Sequence, residues 1–160
     1  MAHTAKVDLV LRASEVRAGR PSPAVSPVWL TLNGTPFPMA DWWDFPVVVL
    51  RSLTGAVVEV SDAHTAVAKC YFFDGPYYLR LRRRPDGAIR IEAIDEGVRD
   101  EGVTVVVVDV AWEDLARTVE ASALELLEAC RRRRWDDSDV RALRSNVRSL
   151  QAARRARGPS

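Results

Sequence analysis

The stretch KCYFFDGPYYLRLRRR (Lys69–Arg84) contains a complete β-hairpin and therefore indicates an antiparallel sheet. Its turn is Asp74-Gly75-Pro76, in which glycine tolerates a positive φ and proline holds φ at about −65°. Alternating side chains on both sides of the turn predict strands over 67–73 and 77–83. On the return strand, the two faces consist of Tyr77, Leu79 and Leu81 and of Tyr78, Arg80 and Arg82.

A third strand follows the hairpin after a second turn, Pro85-Asp86-Gly87. The segment AIRIEAI alternates in the same way, which places its Arg90 and Glu92 in register to meet the arginines of the return strand. Opposite charges on neighbouring strands contribute about 0.2–1 kcal/mol each and therefore favour this register.

Three other segments have the pattern of strands: KVDLVL (6–11), VWLTLNG (28–34) and VTVVVVDV (103–110). The last is apolar on both faces, so we expect it to be a central strand or to be covered by helices. Between the first two, RAGRPSPAVSP (17–27) is rich in proline and glycine and predicts a mobile loop.

The segment MADWWDFPVVVLRSLTG (39–55) fits either a helix or a strand. Asp41 or Asp44 is a candidate helix cap, and Gly55 is a candidate stop. The run of valines favours a strand instead. We prefer a short helix, followed by a short strand at VVEVS (57–61).

Two helices are predicted at the C-terminal end of the chain. The first covers 112–134, where apolar residues recur at helical spacing, with acidic residues in the first turn and arginines in the last. The second covers 138–153, with Ser138 as its cap. We expect a frayed tail over 154–160.

The order of these elements predicts an α+β fold, because strands come first and helices last. We expect one antiparallel sheet of about five to seven strands, one short internal helix, and two C-terminal helices packed on one face of the sheet. With 160 residues, the chain suits a single domain, which we place at 1–157.

Charge is distributed unevenly, although the net charge is only +1. Residues 131–160 contain ten arginines and three aspartates, a net charge of +7, which leaves −6 for residues 1–130. Such asymmetry is typical of a polyanion partner, or of a basic segment that docks on an acidic body.

The cellular compartment is indicated by the chain's apolar runs and its cysteines. The N-terminal segment has no apolar run long enough for a signal peptide, and no segment approaches the ~20 apolar residues of a membrane span. Cys70 and Cys130 lie far apart and outside any CxxC pair, which predicts buried thiols rather than a disulfide or a zinc site. We therefore expect a cytoplasmic protein without membrane association.

Catalytic motifs are missing from the sequence, which has no GxGxxG, P-loop, GxSxG or HExxH pattern. The only histidines are His3 and His64, too few for a metal site without further ligands. We therefore expect no enzymatic activity, cofactor or metal. The alternative is an active site made of carboxylates alone, if Asp41, Asp44 and Asp74 converge.

Three groups of residues are candidate partner-binding sites. An acidic and aromatic group is suited to anchoring a basic protein. Its members are Asp41, Trp42, Asp44, Asp95, Glu96, Asp100 and Glu101. A hairpin group shares one strand face and consists of Tyr78, Arg80 and Arg82.

The third group is a basic stripe on the C-terminal helices, suited to a polyanion. Its members are Arg131, Arg132, Arg134, Arg141, Arg144 and Arg148. The run at 131–134 has two other interpretations, a solvated helix end and a docking element for an acidic surface.

The combination of WWDFPVVVL (42–50), YFFDGPYYLRL (71–81), a strand and a long C-terminal helix resembles small uncharacterised actinobacterial proteins. Several of these are similar to immunity-type proteins of toxin systems. The resemblance covers about half of the chain. It implies an α+β protein that binds another protein, and it brings no catalytic residues with it.

These observations lead to three functional hypotheses. The first is a non-enzymatic cytoplasmic protein that binds another protein, as an immunity protein does when it blocks a toxin by occlusion. The second is a nucleic-acid-associated or regulatory protein that uses its C-terminal arginines. The third is a small structural subunit of an assembly, in which exposed strand edges pair between chains.

Overall fold

The computed structural model describes residues 5–17, 24–98 and 100–158, which form eight β-strands and three α-helices. The strands are β1 (Val7–Leu11), β2 (Ser26–Leu32), β3 (Thr35–Phe37), β4 (Trp43–Asp44), β5 (Val67–Tyr71), β6 (Tyr77–Arg83), β7 (Ile89–Asp95) and β8 (Val103–Val110). The helices are α1 (Pro46–Glu59), α2 (Trp112–Arg132) and α3 (Ser138–Arg157).

The strands form two antiparallel sheets of four strands each, so the α+β class is confirmed and the single sheet is wrong. In the first sheet, β2 pairs with β1, β3 and β4. The second sheet is the meander β5-β6-β7-β8. Helix α1 lies along β5, the edge strand of the second sheet, where Ser52 Oγ accepts a hydrogen bond from Tyr71 N at 3.0 Å.

The helical interpretation of the segment 41–54 is confirmed, although its cap is different. The helix begins at Pro46, and the N-cap residue is Phe45, which makes no capping hydrogen bond through its side chain. Neither Asp41 nor Asp44 caps α1. Proline is favourable in this position because the first helical N–H has no partner within the helix.

The predicted end of α1 at Gly55 is wrong, because the helix continues to Glu59. The predicted strand over 57–61 is wrong for the same reason. Gly55 does not adopt the positive φ of a helix-terminating glycine. The additional turn is stabilised by burial, since Val57 is fully inside the core.

Both C-terminal helices are confirmed, with different ends. The first ends at Arg132, two residues earlier than predicted. The cap of α3 is Asp137 rather than Ser138, because the Asp137 carboxylate accepts a hydrogen bond from Val140 N at 2.9 Å.

The prediction of a frayed tail is wrong for residues 154–157, because α3 continues to Arg157. Residues 159–160 lie outside the described part of the chain. Arg154 holds the final turn of α3 on α2. Its Nε and Nη2 donate to Glu113 Oε1 at 2.9 and 2.6 Å, and its Nη1 pairs with Glu120.

One hydrophobic core lies between the three helices and the inner faces of the two sheets. The helices pack on one another, α1 also packs on β5, and α2 also packs on β1. The expected arrangement of two C-terminal helices on one face of a single sheet is therefore only roughly matched. Among the described residues, no helix combines the length and apolar character needed to cross a membrane.

The valine-rich strand β8 lies at the edge of the second sheet, so the prediction of a central or covered strand is wrong. Val108 and Val110 face the core, but Val105 and Val107 are 53% and 46% exposed. The reason is that the helices cover only the inner face of this sheet.

The predicted loop over 17–27 is shorter than expected. Arg17 and Val25 form an isolated antiparallel bridge with N···O distances of 2.8 and 3.1 Å, and β2 begins at Ser26. The middle of the predicted loop, 18–23, lies outside the described residues.

Candidate interaction surfaces

The outer face of the second sheet, which points away from the core, presents a regular grid of side chains. Across β5, β6, β7 and β8 its rows are Tyr71–Tyr78–Ile94–Thr104, Lys69–Arg80–Glu92–Val107 and Val67–Arg82–Arg90–Asp109. Tyr78 and Ile94 in the first row are buried, at 5% and 3% exposure, but none of the twelve residues belongs to the main core cluster between the helices and the sheets. We call this grid the outer sheet face; its first row is mainly apolar and the other two are mainly charged.

The predicted register between the arginines and the glutamate of the meander is confirmed. Arg80 lies opposite Glu92, and Nε of Arg80 and Nε of Arg82 both donate to Glu92 Oε2, at 2.7 and 2.9 Å. These hydrogen bonds, chiefly the one from Arg80, hold the pKa of Glu92 below its ordinary value. The carboxylate is therefore ionised at neutral pH.

A second carboxylate on the same face is also shared by two arginines. Asp109 accepts from Nε and Nη2 of Arg90, both at 2.9 Å, and from Nη1 of Arg84 at 3.0 Å. The hydrogen bond from Arg90 is the main cause of a lowered pKa at Asp109. Sequence reasoning missed this pair because it depends on the pairing of β7 with β8.

Tyr78 lies on the predicted face but is not available to a partner, since it is only 5% exposed. It is covered by the Tyr71 ring, whose centroid is 5.8 Å away, and by Lys69 Nζ, which lies 5.0 Å from the Tyr78 ring centroid. The prediction of Tyr78 as a contact residue is therefore corrected to Tyr71, which is 45% exposed.

Three loops meet at the end of the second sheet next to its apolar row. They are 38–45, 72–76 and 95–102, the last described without residue 99. The loop 38–45 contacts β6, because the rings of Trp42 and Tyr77 meet edge to face with centroids 5.3 Å apart. The loop 95–102 contacts the loop 72–76 through Glu96 N, which donates a hydrogen bond to Pro76 O at 2.9 Å. We call this surface the loop end.

Asp44 connects two of these loops and is 1% exposed. Its Oδ2 accepts from Phe73 N at 2.9 Å, from Asp74 N at 3.2 Å and from Trp42 Nε1 at 3.1 Å. Its Oδ1 accepts from Phe45 N at 2.7 Å. The prediction that Asp44 faces a partner is therefore corrected, because its carboxylate is buried and already hydrogen-bonded.

The other predicted acidic residues lie in the converging loops and reach the surface. Asp41 adopts a positive φ of 58° and pairs with Arg12 Nη2 at 2.5 Å. Asp95 stabilises its own loop by accepting from Gly97 N at 2.8 Å. The exposed members are Asp41, Glu96, Asp100 and Glu101.

Exposed apolar side chains at the loop end were missed at the sequence level. Met39, Phe73 and Val98 are 49%, 47% and 65% exposed. A signal for Phe73 was present in the sequence, because adjacent aromatics on an extended chain point in opposite directions. Phe72 fills the inward position and is only 3% exposed.

In the predicted polyanion group, Arg131 and Arg132 are engaged by one carboxylate. They donate to Glu128 at distances of 2.7 to 3.1 Å. These hydrogen bonds lower the pKa of Glu128 to about 2. Two arginines of the run at 131–134 are therefore paired within their own helix.

The other members of the polyanion group extend from the end of α2 to the middle of α3. Nη1 of Arg141 and Nη1 of Arg144 approach Asp136 at 3.8 and 3.3 Å. Arg134 and Arg148 are exposed. The group therefore carries more positive than negative charge, but several of its guanidinium groups are already paired.

The predicted alternative of a carboxylate-only active site requires Asp44 to be accessible, and its burial counts against this. Within the described residues, no three His, Cys, Asp or Glu side chains are grouped closely enough to hold a metal ion. Burial raises the pKa of Cys70 to about 12 and that of Cys130 to about 11, so neither thiol is a nucleophile at neutral pH. His64 is exposed.

Comparison of the chain with protein-family models, with curated proteins and with solved structures gave no match. The functional proposals therefore depend on the two surfaces defined above, the loop end and the outer sheet face.

Proposed function

We propose that this protein is a non-enzymatic cytoplasmic binding protein, that its partner is a basic protein, and that the loop end is the interface. The observation that carries the proposal is the convergence of three loops that expose Met39, Phe73 and Val98 among carboxylates. Apolar side chains with a polar, charged surround are typical of protein interfaces.

The charge of the loop end supports a basic partner. In the sequence, its three loops contain seven carboxylates and one basic residue, Arg99. Arg12 forms an ion pair with one of these carboxylates, Asp41, and most of the negative charge at the surface is left uncompensated. A surface of one sign accelerates encounter with a partner of the opposite sign and selects against partners of the same sign.

The loop end is also organised before a partner arrives. The buried carboxylate of Asp44 holds the backbone of Phe73 and Asp74 at 2.9 to 3.2 Å. Fixing a contact loop in the free protein reduces the conformational entropy lost on binding. Phe73 is therefore the best candidate for an anchor residue.

The resemblance to immunity-type proteins supports a finer proposal, in which the partner is a toxin and binding covers its functional site. Occlusion of this kind requires shape and charge complementarity but no catalytic group on the inhibitor. The loop end offers both an apolar centre and an acidic rim.

The proposal is tested by capturing partners from a lysate of the native host. We compare the wild-type protein with Phe73→Ala and with a matched control, Leu124→Ala, whose side chain is 45% exposed, close to the 47% of Phe73, but lies on α2. We expect wild type and Leu124→Ala to retain the same basic protein. Phe73→Ala should weaken the affinity of the purified pair about 30-fold, as expected for an anchor residue.

Two results would contradict the proposal: equal retention by all three proteins, or a captured partner that is acidic. The toxin hypothesis has a further test, in which the captured protein is expressed alone and together with the wild-type chain. Growth arrest that only the wild-type chain relieves is expected; the absence of growth arrest would exclude the toxin and leave the binding function intact.

A second candidate function, a structural subunit of an assembly, is favoured by the edge strand β8. Val105 and Val107 are exposed there, and the strand contains neither lysine nor proline, which commonly protect sheet edges. Light scattering during size-exclusion chromatography should then show an oligomer that Val107→Lys converts to a monomer. A monomer at high wild-type concentration would exclude this function.

A further inference from the structure

The outer sheet face contains two carboxylates that are each shared by two arginines. Glu92 accepts from Arg80 and Arg82, and Asp109 accepts from Arg84 and Arg90. One carboxylate balances one guanidinium group, so each trio retains a net positive charge. This arrangement differs from an ordinary surface ion pair, which is neutral.

The face as a whole is cationic. Its rows hold three arginines and Lys69 against Glu92 and Asp109, and the adjoining turn adds Arg84 and Asp86, whose side chains lie 3.6 Å apart. Five cations against three carboxylates leave an excess of two positive charges. The acidic loop end lies beyond the apolar row, so the excess is concentrated in the other two rows.

Arg80 and Arg82 have hydrogen-bond donors available for a ligand. Each uses Nε to bind Glu92, and among the described residues no acceptor lies within hydrogen-bond distance of their Nη groups. The shared carboxylate thus orients two guanidinium forks whose remaining donors are free, and Arg82 is 45% exposed. Such forks match the geometry of phosphate oxygens.

An exposed aromatic ring lies directly beside these cations. Tyr71 is 45% exposed and two residues from Lys69 on the same face of β5. Its inner side rests on Tyr78, with ring centroids 5.8 Å apart and ring planes tilted by 35°. Its outer side is therefore a supported platform on which a planar group can stack.

We propose that the outer sheet face binds single-stranded nucleic acid, with phosphates at Lys69, Arg80 and Arg82 and a base stacked on Tyr71. A cationic track next to an exposed aromatic ring is the arrangement used for single strands, whose bases are free to stack. A duplex keeps its bases stacked on one another and cannot use Tyr71. The site is independent of the protein-binding function proposed for the loop end.

The test measures fluorescence anisotropy of labelled oligo-dT and oligo-rU, about 12 nucleotides long, at a series of salt concentrations starting from about 50 mM. We compare wild type with the double variant Arg80→Gln/Arg82→Gln. The matched control is Arg51→Gln/Arg117→Gln, since these two exposed and ion-paired helix arginines lie outside the candidate groups and the loss of charge is the same.

We expect the wild type and the control to bind with similar affinity and the sheet-face variant to bind about tenfold more weakly or worse. The slope of log affinity against log salt should fall by about 1.4, because each phosphate contact on a single strand contributes ~0.7. Tyr71→Ala should weaken binding about fivefold or more. Lys69→Gln should also weaken binding. Because this substitution breaks no ion pair with a carboxylate, the variant is expected to fold normally.

Several outcomes would overturn the proposal. They are no binding by wild type at the lowest salt, an equal loss in the control, and duplex bound as tightly as single strand. Polyglutamate bound as tightly as the oligonucleotides would instead indicate an acidic protein as the ligand. Phe73→Ala should bind oligonucleotides normally, so failure of this site and failure of the loop end are distinguishable.

Discussion

Oδ2 of Asp44 accepts a hydrogen bond from Phe73 N at 2.9 Å, across 29 positions of the chain. Asp44 ends the last strand of the first sheet, and Phe73 lies in the hairpin loop of the second sheet. A single buried carboxylate therefore joins the two sheets at the loop end. The position of the exposed Phe73 ring depends on this connection.

Asp44→Ala should destabilise the protein by about 3 kcal/mol, because backbone donors that now bind a charged acceptor would be left without one in a buried site. Urea unfolding measures this change. The matched control is Asp74→Ala, an exposed loop residue whose substitution should cost less than about 0.5 kcal/mol. Similar effects of the two substitutions would contradict the connecting role of Asp44.

Gly55→Ala should stabilise the protein by about 0.5–1 kcal/mol. Gly55 lies inside α1 with helical backbone, and an added Cβ would meet only Asn146 Nδ2, at an ordinary 3.6 Å. In the control, Gly87→Ala, the sign should reverse, because Gly87 has a φ of +85°. Thermal unfolding of both variants measures these changes. A lower melting temperature for Gly55→Ala would contradict a helix α1 that continues through Gly55.

Arg154→Ala should destabilise the protein by about 1–2 kcal/mol, a value reduced for its partial exposure of 28%. The substitution leaves Glu113 and Glu120 without their shared partner on α3. Arg155→Ala, on the exposed side of the same helix, is expected to be near neutral. Equal chemical denaturation midpoints for the two variants would show that the end of α3 is frayed.

Cys70 and Cys130 should resist thiol reagents in the native protein and react after unfolding in urea, since both are buried. The pKa of Cys70 is raised from 9.0 to about 12 when the protein folds, so the unfolded chain ionises first. This thiol therefore lowers stability as pH rises from about 9 to about 12, and has no effect below pH 9. Replacing it in Cys70→Val should reduce the alkaline loss of stability; an unchanged pH profile would contradict this assignment.

Local structure could be predicted well, because alternation and helical spacing depend on residues close together in sequence. The hairpin at 69–84, the opposition of Arg80 and Glu92, and the two C-terminal helices are all confirmed. The failures concern where an element lies in the fold. The apolar pattern of β8 is the same for an edge strand as for a central strand, so it does not reveal which face a helix covers.

The candidate surfaces show the same division. The acidic residues at 95–101 and the arginines of β6 were identified from the sequence because charge and alternation are local properties. The burial of Asp44, the covering of Tyr78 and the exposure of Phe73 depended on packing. Contacts such as Asp44 with Phe73 and Arg154 with Glu113 join residues 29 and 41 positions apart. Their geometry follows from how whole helices and sheets pack, and nearest-neighbour patterns contain no information about that packing.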